Sequence, residues 1–332
     1  MNVLSLFDGC SCGQLALQRA GIPVENYYAS EVDKYAIQVT MKNFPNTIQL
    51  GDVREVKASN LPKIDLLIGG SPCTGFSSSG KMLNFEDPQS KLFFEYVRIL
   101  KELREINPDI KFLLENVKMK KEWVSVISEI LGVEAIEINS TLVSAQNRKR
   151  LYWANFPISQ PKDRGIFLKD ILEDGNTIAG MRGRYLNPDG TRDDINRPKI
   201  VQVIENRVDG KSNTSTTVSK DNLVFVGHTG KNKWGNGNTI RAFRQGERIF
   251  AVNGKNPTLS AQMGGSAKGG GLITEDLLHY RNLTVVECER LQTMPDRFTE
   301  GVSNSQRYKM IGNGWTIEVI KEIFQNLLTN PG

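Results

Sequence analysis

Along residues 1–155, short apolar runs alternate with stretches whose apolar positions recur at helical spacing. Runs at 3–7, 27–30, 47–50, 64–68 and 111–114 predict five strands, and the intervals predict helices at 14–20, 34–43 and about 90–105. Strand–helix alternation of this kind predicts an α/β fold: a mostly parallel, doubly wound sheet with helices on both faces. From about 158 to 278 the pattern degrades. Short β-like runs (200–204, 223–226, 248–252) lie between Gly, Asn and Lys clusters, which predicts a small loop- and β-rich second domain. Helical order returns at 284–292, where Thr284 and Glu287 have the spacing of a capping box, and again at 316–328. The expected organisation is a first domain at 1–157, a second at 158–278, and a segment 279–332 that returns to the first.

The predicted strands end on polar residues: Asp8, Glu31, Asp52, Cys73 and Glu115 each follow an apolar run. Open α/β sheets bind ligands outside the carboxyl ends of their strands, so these positions predict one cleft. Charge sharpens the division of the chain. Residues 161–270 carry 18 Lys+Arg against 11 Asp+Glu and hold 16 of the 30 glycines, whereas the rest is slightly acidic. A basic, glycine-rich segment suits a polyanion, although a solvated, loopy insertion would look similar. The chain has 332 residues with no apolar run of membrane-spanning length and no leader-like start, so a cytoplasmic protein is expected. The four cysteines show no C-x-x-C spacing, and His228 and His279 are the only histidines. No metal site is expected, and a Ser-His-Asp triad has little to draw on.

The first turn, Phe7-Asp8-Gly9-Cys10-Ser11-Cys12-Gly13, lets backbone approach a nucleotide near a helix N-terminus. Alone it fits a nicotinamide enzyme as well as any other nucleotide binder. Gly69-Gly70-Ser71-Pro72-Cys73-Thr74-Gly75-Phe76-Ser77 is more specific. A lone cysteine is usually a small buried hydrophobe. Here one follows a rigid proline at a strand end and precedes a serine-rich loop, the setting of a nucleophile.

Ser71-Pro72-Cys73 with Gly75-Phe76-Ser77 resembles the nucleophile motif of cytosine-5 DNA methyltransferases. In the same order along the chain, Glu115-Asn116-Val117 resembles that family's Glu-Asn-Val, and Gln146-Asn147-Arg148-Lys149-Arg150 its Gln-x-Arg-x-Arg. Arg281-Asn282-Leu283-Thr284 through Glu287 and Gln292 to Pro295 resembles its penultimate motif, and Gly312-Asn313-Gly314 with Val319 its last. Ser11 and Cys12 stand where the first motif usually has glycines, and Thr74 where a Gln usually follows the cysteine. The Phe-Asp-Gly turn and the serine-rich loop are similar to the animal de novo class.

The resemblance implies a Rossmann-like methyltransferase domain with S-adenosylmethionine as cofactor, and a target-recognition domain. Double-stranded DNA is the implied partner, and the cytosine must be flipped out of the duplex for chemistry. It implies Cys73 as the nucleophile on cytosine carbon-6, and Glu115 as a protonated acid or strong hydrogen-bond partner at ring nitrogen-3. Arg150 would contact the cytosine carbonyl and hold Glu115, and Arg148 would lie near the flipped nucleotide's backbone. Phe7 would stack on adenine, Glu31 hold the ribose, Asp52 the amino group and Asn313 the amino-acid end, with Asp8, Gly9, Gly13, Val32, Val53 and Pro72 completing the cofactor site. Gln245, Arg248, Thr258, Gln262, Gly264 and Gly265 resemble the recognition segments of small bacterial members. A monomer is expected, and the resemblance allows a cognate restriction endonuclease in the same system. Three rivals remain: an RNA-modifying branch, whose Cys-Phe-Thr tripeptide is absent here; a non-catalytic DNA-binding member, which should lack the nucleophile or the arginine pair; and the nicotinamide enzyme.

Overall fold

The computed structural model describes residues 1–71, 88–173, 180–185, 200–205, 224–228, 256–257, 278–281 and 283–329, with side chains over 1–71, 91–173 and 283–327. The first part of the chain runs β1 (Asn2–Leu6), α1 (Cys12–Arg19), β2 (Asn26–Ser30), α2 (Lys34–Asn43), β3 (Ile48–Gln49), β4 (Leu66–Gly69), α3 (Pro88–Ile106), β5 (Lys111–Val117), α4 (Lys121–Leu131), β6 (Ile136–Asn139), β7 (Gln146–Asn147) and β8 (Lys149–Ala154). After it come β9 (Gly180–Tyr185), β10 (Ile200–Glu205), β11 (Val224–His228), β12 (Asn256–Pro257), β13 (Leu278–Arg281), α5 (Val285–Leu291), α6 (Asn304–Asn313) and α7 (Ile317–Thr329).

The main sheet has the order β3-β2-β1-β4-β5-β8-β6. Its first five strands are parallel, and β8 runs antiparallel to both β5 and β6. Successive strand residues point to opposite faces, so each strand feeds two cores. Val3, Ile68 and Leu113 join α1, α2 and the C-terminal helices on one face; Leu4, Leu67, Phe112 and Leu114 join α3 and α4 on the other. This is the doubly wound arrangement that the alternating pattern predicts. Helix α7 packs along α1, and its Ile320, Ile323 and Phe324 are buried in the first core.

Several elements differ from the sequence expectation. The fifth strand does not stop at 114 but continues to Val117, because antiparallel β8 pairs with it (Glu115↔Tyr152, Asn116↔Leu151, Val117↔Arg150). Glu115 is therefore a residue of the strand, not one that follows it. The third strand shrinks to two residues. Helix α2 spans 34–43 as expected, with Asp33 as an N-cap accepting from the Tyr35 amide. The capping box at α5 is formed: Glu287 N–H donates to Thr284 Oγ1 (3.1 Å), and Thr284 N–H to Glu287 Oε2 (2.7 Å). Beyond the main sheet, β9 pairs with β10 and β11 with β13, both antiparallel, while β12 runs parallel to β7. The run expected at 248–252 lies outside the described residues. Among those described, no helix is long and apolar enough to cross a membrane, and no His, Cys, Asp and Glu cluster could hold a metal ion.

Candidate active site

The carboxyl ends of the parallel strands share one edge, and the β1–α1 turn bends back along it. Phe7 (φ 58°), Gly9 (φ 60°) and Ser11 (φ 59°) all take left-handed backbone there. For Phe7 and Ser11 this conformation is costly and has to be held by its surroundings. Asp8 supplies much of the hold. Its carboxylate accepts from the Tyr27 hydroxyl (2.8 Å) and from Ser11 Oγ, and its amide donates to the Ser30 carbonyl (3.2 Å). Burial pushes the Asp8 acid up to about 6 against the lowering effect of these hydroxyls, and the nearby Glu31 charge adds to the rise. Glu31 ties the same turn to β2: Gly9 N–H donates to one carboxylate oxygen, and Val32 and Asp33 N–H to the other, all at 2.8 Å. At Gly13 a Cβ would lie 2.4 Å from Ile68 Cδ1 and 3.1 Å from the Tyr27 hydroxyl, so a side chain there would force the buried Ile68 side chain to shift. Asp52 caps a short 3-10 turn by accepting from the Arg54 amide (3.0 Å), and its hydrogen bonds from the Arg54 side chain and amide pull its acid down to about 2. Val32 is 70% exposed, an unusual setting for valine beside a cleft.

The other half of the site is built around Glu115, which is buried with both carboxylate oxygens engaged. Arg150 Nε lies 3.0 Å from Oε1, and Trp315 Nε1 donates to Oε2 at 3.0 Å. Cross-strand pairing puts Arg150 opposite Val117 on β8, two residues along from Glu115. Beneath the carboxylate, Gly70 leaves the needed space: a Cβ there would lie 2.9 Å from both Glu115 Oε2 and Trp315 Nε1. Asn116 Nδ2 donates to Ser71 Oγ (3.2 Å), joining β5 to the residue two before Cys73. Arg148 is only 4% exposed. Its guanidinium donates to the Gly314 carbonyl (2.9 Å) and the Gly312 carbonyl (3.3 Å), and its amide to Asn139 Oδ1 (3.1 Å). Burial first and the Arg150 charge second work against its cation, while Glu115 favours it. Gln292 holds the same turn from below, donating to the Ile311 (2.8 Å) and Gly314 (3.1 Å) carbonyls and accepting from Thr316 Oγ1 (2.8 Å). Asn313 stands exposed at the end of α6 within this double clamp.

A cavity of about 750 Å³ connects the two halves. Phe7, Asp8, Gly9, Gly13, Glu31, Val32, Asp52, Val53, Glu115, Arg148, Arg150 and Asn313 all line it, so the site residues anticipated from sequence and described in the structure share one wall system. Cys73, Pro72, Gln245, Arg248, Thr258, Gln262, Gly264 and Gly265 lie outside the described residues. Trp315 was not anticipated; its only sequence signal is a large aromatic set directly after a Gly-Asn-Gly turn.

Comparison with known proteins settles the lineage. The profile of the family described as C-5 cytosine-specific DNA methylase matches residues 1–131 and 133–329. The chain belongs to that family. It is a DNA cytosine-5 methyltransferase. It is 30% identical to the type II methyltransferase M.HhaI of Haemophilus parahaemolyticus over 98% of this chain and 94% of that one. It is 27% identical to the orphan methyltransferase M.SPRI of Bacillus phage SPR over 99% and 97%. Among solved structures, the Entamoeba histolytica methyltransferase EhMeth superposes with a TM-score of 0.65 at 17% identity, covering 99% of this chain and 98% of that one. S. pombe Dnmt2 superposes at 0.56 and 16% identity, covering 99% and 98%. These likenesses show the shared fold.

Proposed function

We propose that this enzyme takes the methyl of S-adenosylmethionine to carbon-5 of a flipped-out cytosine in a specific duplex DNA sequence, through a covalent adduct on Cys73. The observation that carries the reading is the joining, in one cavity, of the Glu31-anchored first turn with Glu115 held between Arg150 and Trp315. The donor set fits the cofactor. Glu31 offers a carboxylate at the end of β2 for a ribose diol, Asp52 an acceptor for the adenine amino group, and Phe7 and Val32 apolar surface for the ring. Asn313 would face the amino-acid end. Gly9 leaves open space, since a Cβ there would meet nothing within 4 Å. When bound, the cofactor supplies an electrophilic methyl on a sulfonium sulfur.

Cytosine carbon-5 is a poor nucleophile. Addition of the Cys73 thiolate to carbon-6 makes the ring enamine-like, and the electron density arriving at nitrogen-3 is met by a proton from Glu115. Arg150 keeps that carboxyl in place and reaches the base carbonyl. Once carbon-5 carries the methyl, loss of its proton to water expels the Cys73 thiolate, and nitrogen-3 returns its proton to Glu115. We assign residues 158–278 to target recognition, with their basic charge on the phosphates and Gln245, Arg248, Thr258, Gln262, Gly264 and Gly265 near base edges. We expect it to act as a monomer; the named type II and orphan relatives come from a bacterium and a phage, which favours a bacterial or phage-infected cytoplasm, with or without a cognate endonuclease.

The test is a duplex carrying 5-fluorocytosine, whose fluorine cannot leave as the proton does. The wild-type enzyme should be trapped on the Cys73 peptide, as read by mass spectrometry, and Cys73→Ser should give neither adduct nor methyl transfer. Turnover by Cys73→Ser near the wild-type rate, or methylation of tRNA in place of duplex DNA, would refute the reading.

A further inference from the structure

The indole of Trp315 stands where the two halves of the site meet. Its Nε1 donates to Glu115 Oε2 at 3.0 Å, while Arg150 Nε lies 3.0 Å from Oε1. The carboxylate thus has a donor on each oxygen. The far edge of the same ring lies at the start of α1: a Cβ on Gly13 would come 3.4 Å from Trp315 Cζ3. Gly70 leaves room for the hydrogen-bonded pair, because any side chain there would press on both of its atoms. The residue's backbone follows the turn that Arg148 and Gln292 hold through the Gly312, Ile311 and Gly314 carbonyls. A partly buried side chain packed against the core, a clamped backbone and complementary glycines together restrain the indole beside Glu115.

An indole nitrogen only donates and cannot take a proton from an acid. Its bond to Oε2 is therefore stronger when Glu115 is a carboxylate than when it is neutral, since charge-assisted bonds are about twice as strong as neutral ones. In the proposed reaction that carboxylate is what forms. As sulfur bonds to carbon-6, the displaced ring electrons take up the Glu115 proton at nitrogen-3, leaving Glu115 negative. An interaction that strengthens along this step lowers its barrier and does little for ground-state binding.

We propose that Trp315 is a positioning residue for the methyl-transfer reaction: its indole N–H orients the Glu115 carboxyl and stabilises the carboxylate left when its proton passes to the cytosine. The inference rests on the reading of Glu115 as the proton donor. It gives the residue after the Gly-Asn-Gly turn a role in chemistry on the base, in addition to its place in the cavity wall.

The experiment is single-turnover methyl transfer to unmethylated duplex DNA by the full chain at saturating cofactor. It compares Trp315→Phe, Glu115→Gln, the double variant, and a chain with 3-benzothienylalanine at 315. This last analogue keeps the fused-ring shape and replaces N–H by sulfur. A hydrogen bond to a charged group predicts a rate loss of roughly ten- to hundredfold for both 315 replacements. Cofactor and DNA affinities, measured separately by equilibrium binding, should change by about twofold or less, as expected of an interaction made in the transition state. The double variant should be no slower than Glu115→Gln, because residues acting as a unit are not additive. A wild-type rate with benzothienylalanine overturns the proposal even if Trp315→Phe folds poorly, as do losses that multiply in the double variant. A wild-type rate for Glu115→Gln instead removes the proposed role of Glu115 itself. A slow Glu115→Gln beside a fast benzothienyl enzyme removes only the role of Trp315.

Discussion

Asp8→Asn tests how the first turn is held, through the pH dependence of stability. Asp8 is 9% exposed, and its acid is raised in the folded protein from an ordinary 3.8 to about 6, mainly by burial. Because the folded value lies above the unfolded one, the folded state binds this proton more tightly. The contribution is fully present below pH 3.8 and is lost as pH rises through about 6, with no further change above that. A difference of about 2 pH units corresponds to about 3 kcal/mol, and little solvent screening reduces it at so buried a group. Asparagine keeps the shape but removes the ionisation. One amide oxygen still accepts, and the amide nitrogen must turn toward the Tyr27 or Ser11 hydroxyl, each of which can also accept. Denaturant unfolding of both proteins from pH 5 to pH 8 isolates the effect, because titrating groups that do not feel the Asp8 charge cancel in the difference. The stability of Asp8→Asn relative to wild type should rise by about 1–1.5 kcal/mol between pH 5 and about pH 6.5 and level off above that. Two unfolding curves that stay parallel across this range would refute the assignment of a buried, titrating carboxylate to this turn.

Three further outcomes follow from other parts of the site. Gly13→Ala places a Cβ against fully buried Ile68 and should cost about 1–3 kcal/mol, measured as a lower denaturant midpoint; an unchanged midpoint would contradict the close packing of α1 on β4. Arg148→Met removes a donor from the Gly312 and Gly314 carbonyls, and calorimetry should show cofactor affinity reduced by about tenfold or more while the loss of a costly buried charge spares overall stability. Equal affinity would mean that Gln292 alone holds the turn. Arg248→Ala should relax sequence preference at one position, at roughly 1–3 kcal/mol of discrimination, as read by sequencing methylated random DNA. A uniformly weaker enzyme with an unchanged preference would place Arg248 on the phosphate backbone.

What the chain reveals on inspection is what is local. Helix α2 needs only its apolar spacing and Asp33, and the α5 capping box needs only Thr284 and Glu287 three residues apart, so both are readable directly. Strand ends carrying Glu31 and Asp52 are visible for the same reason. The continuation of β5 through Glu115 is not, because it depends on antiparallel pairing with β8, and no local pattern marks residues 149–154 as the partner. The bonds of Arg148 to Gly312 and Gly314 and of Trp315 to Glu115 span sequence separations of 164, 166 and 200 residues. An arginine in a Gln-x-Arg-x-Arg motif can be recognised as important, but only the fold reveals that its guanidinium points at protein carbonyls. The motifs therefore nominate the candidate site's members, while the tertiary contacts decide which of them touch.

The packing of α7 along α1 has a consequence for how the protein is made. On the ribosome, the first turn and α1 emerge well before the turn that carries Asn313 and Trp315 and the helix that packs along α1. Until then the side of α1 that packs on α7 is uncovered, and the cavity lacks the wall formed by residues 312–315. A chain interrupted between Glu115 and the turn at 312–315 would carry Cys73 and Glu115 and still lack part of the cavity wall. A partial chain therefore lacks the complete cavity, and the side of α1 that α7 covers stays open to other contacts until synthesis reaches α7.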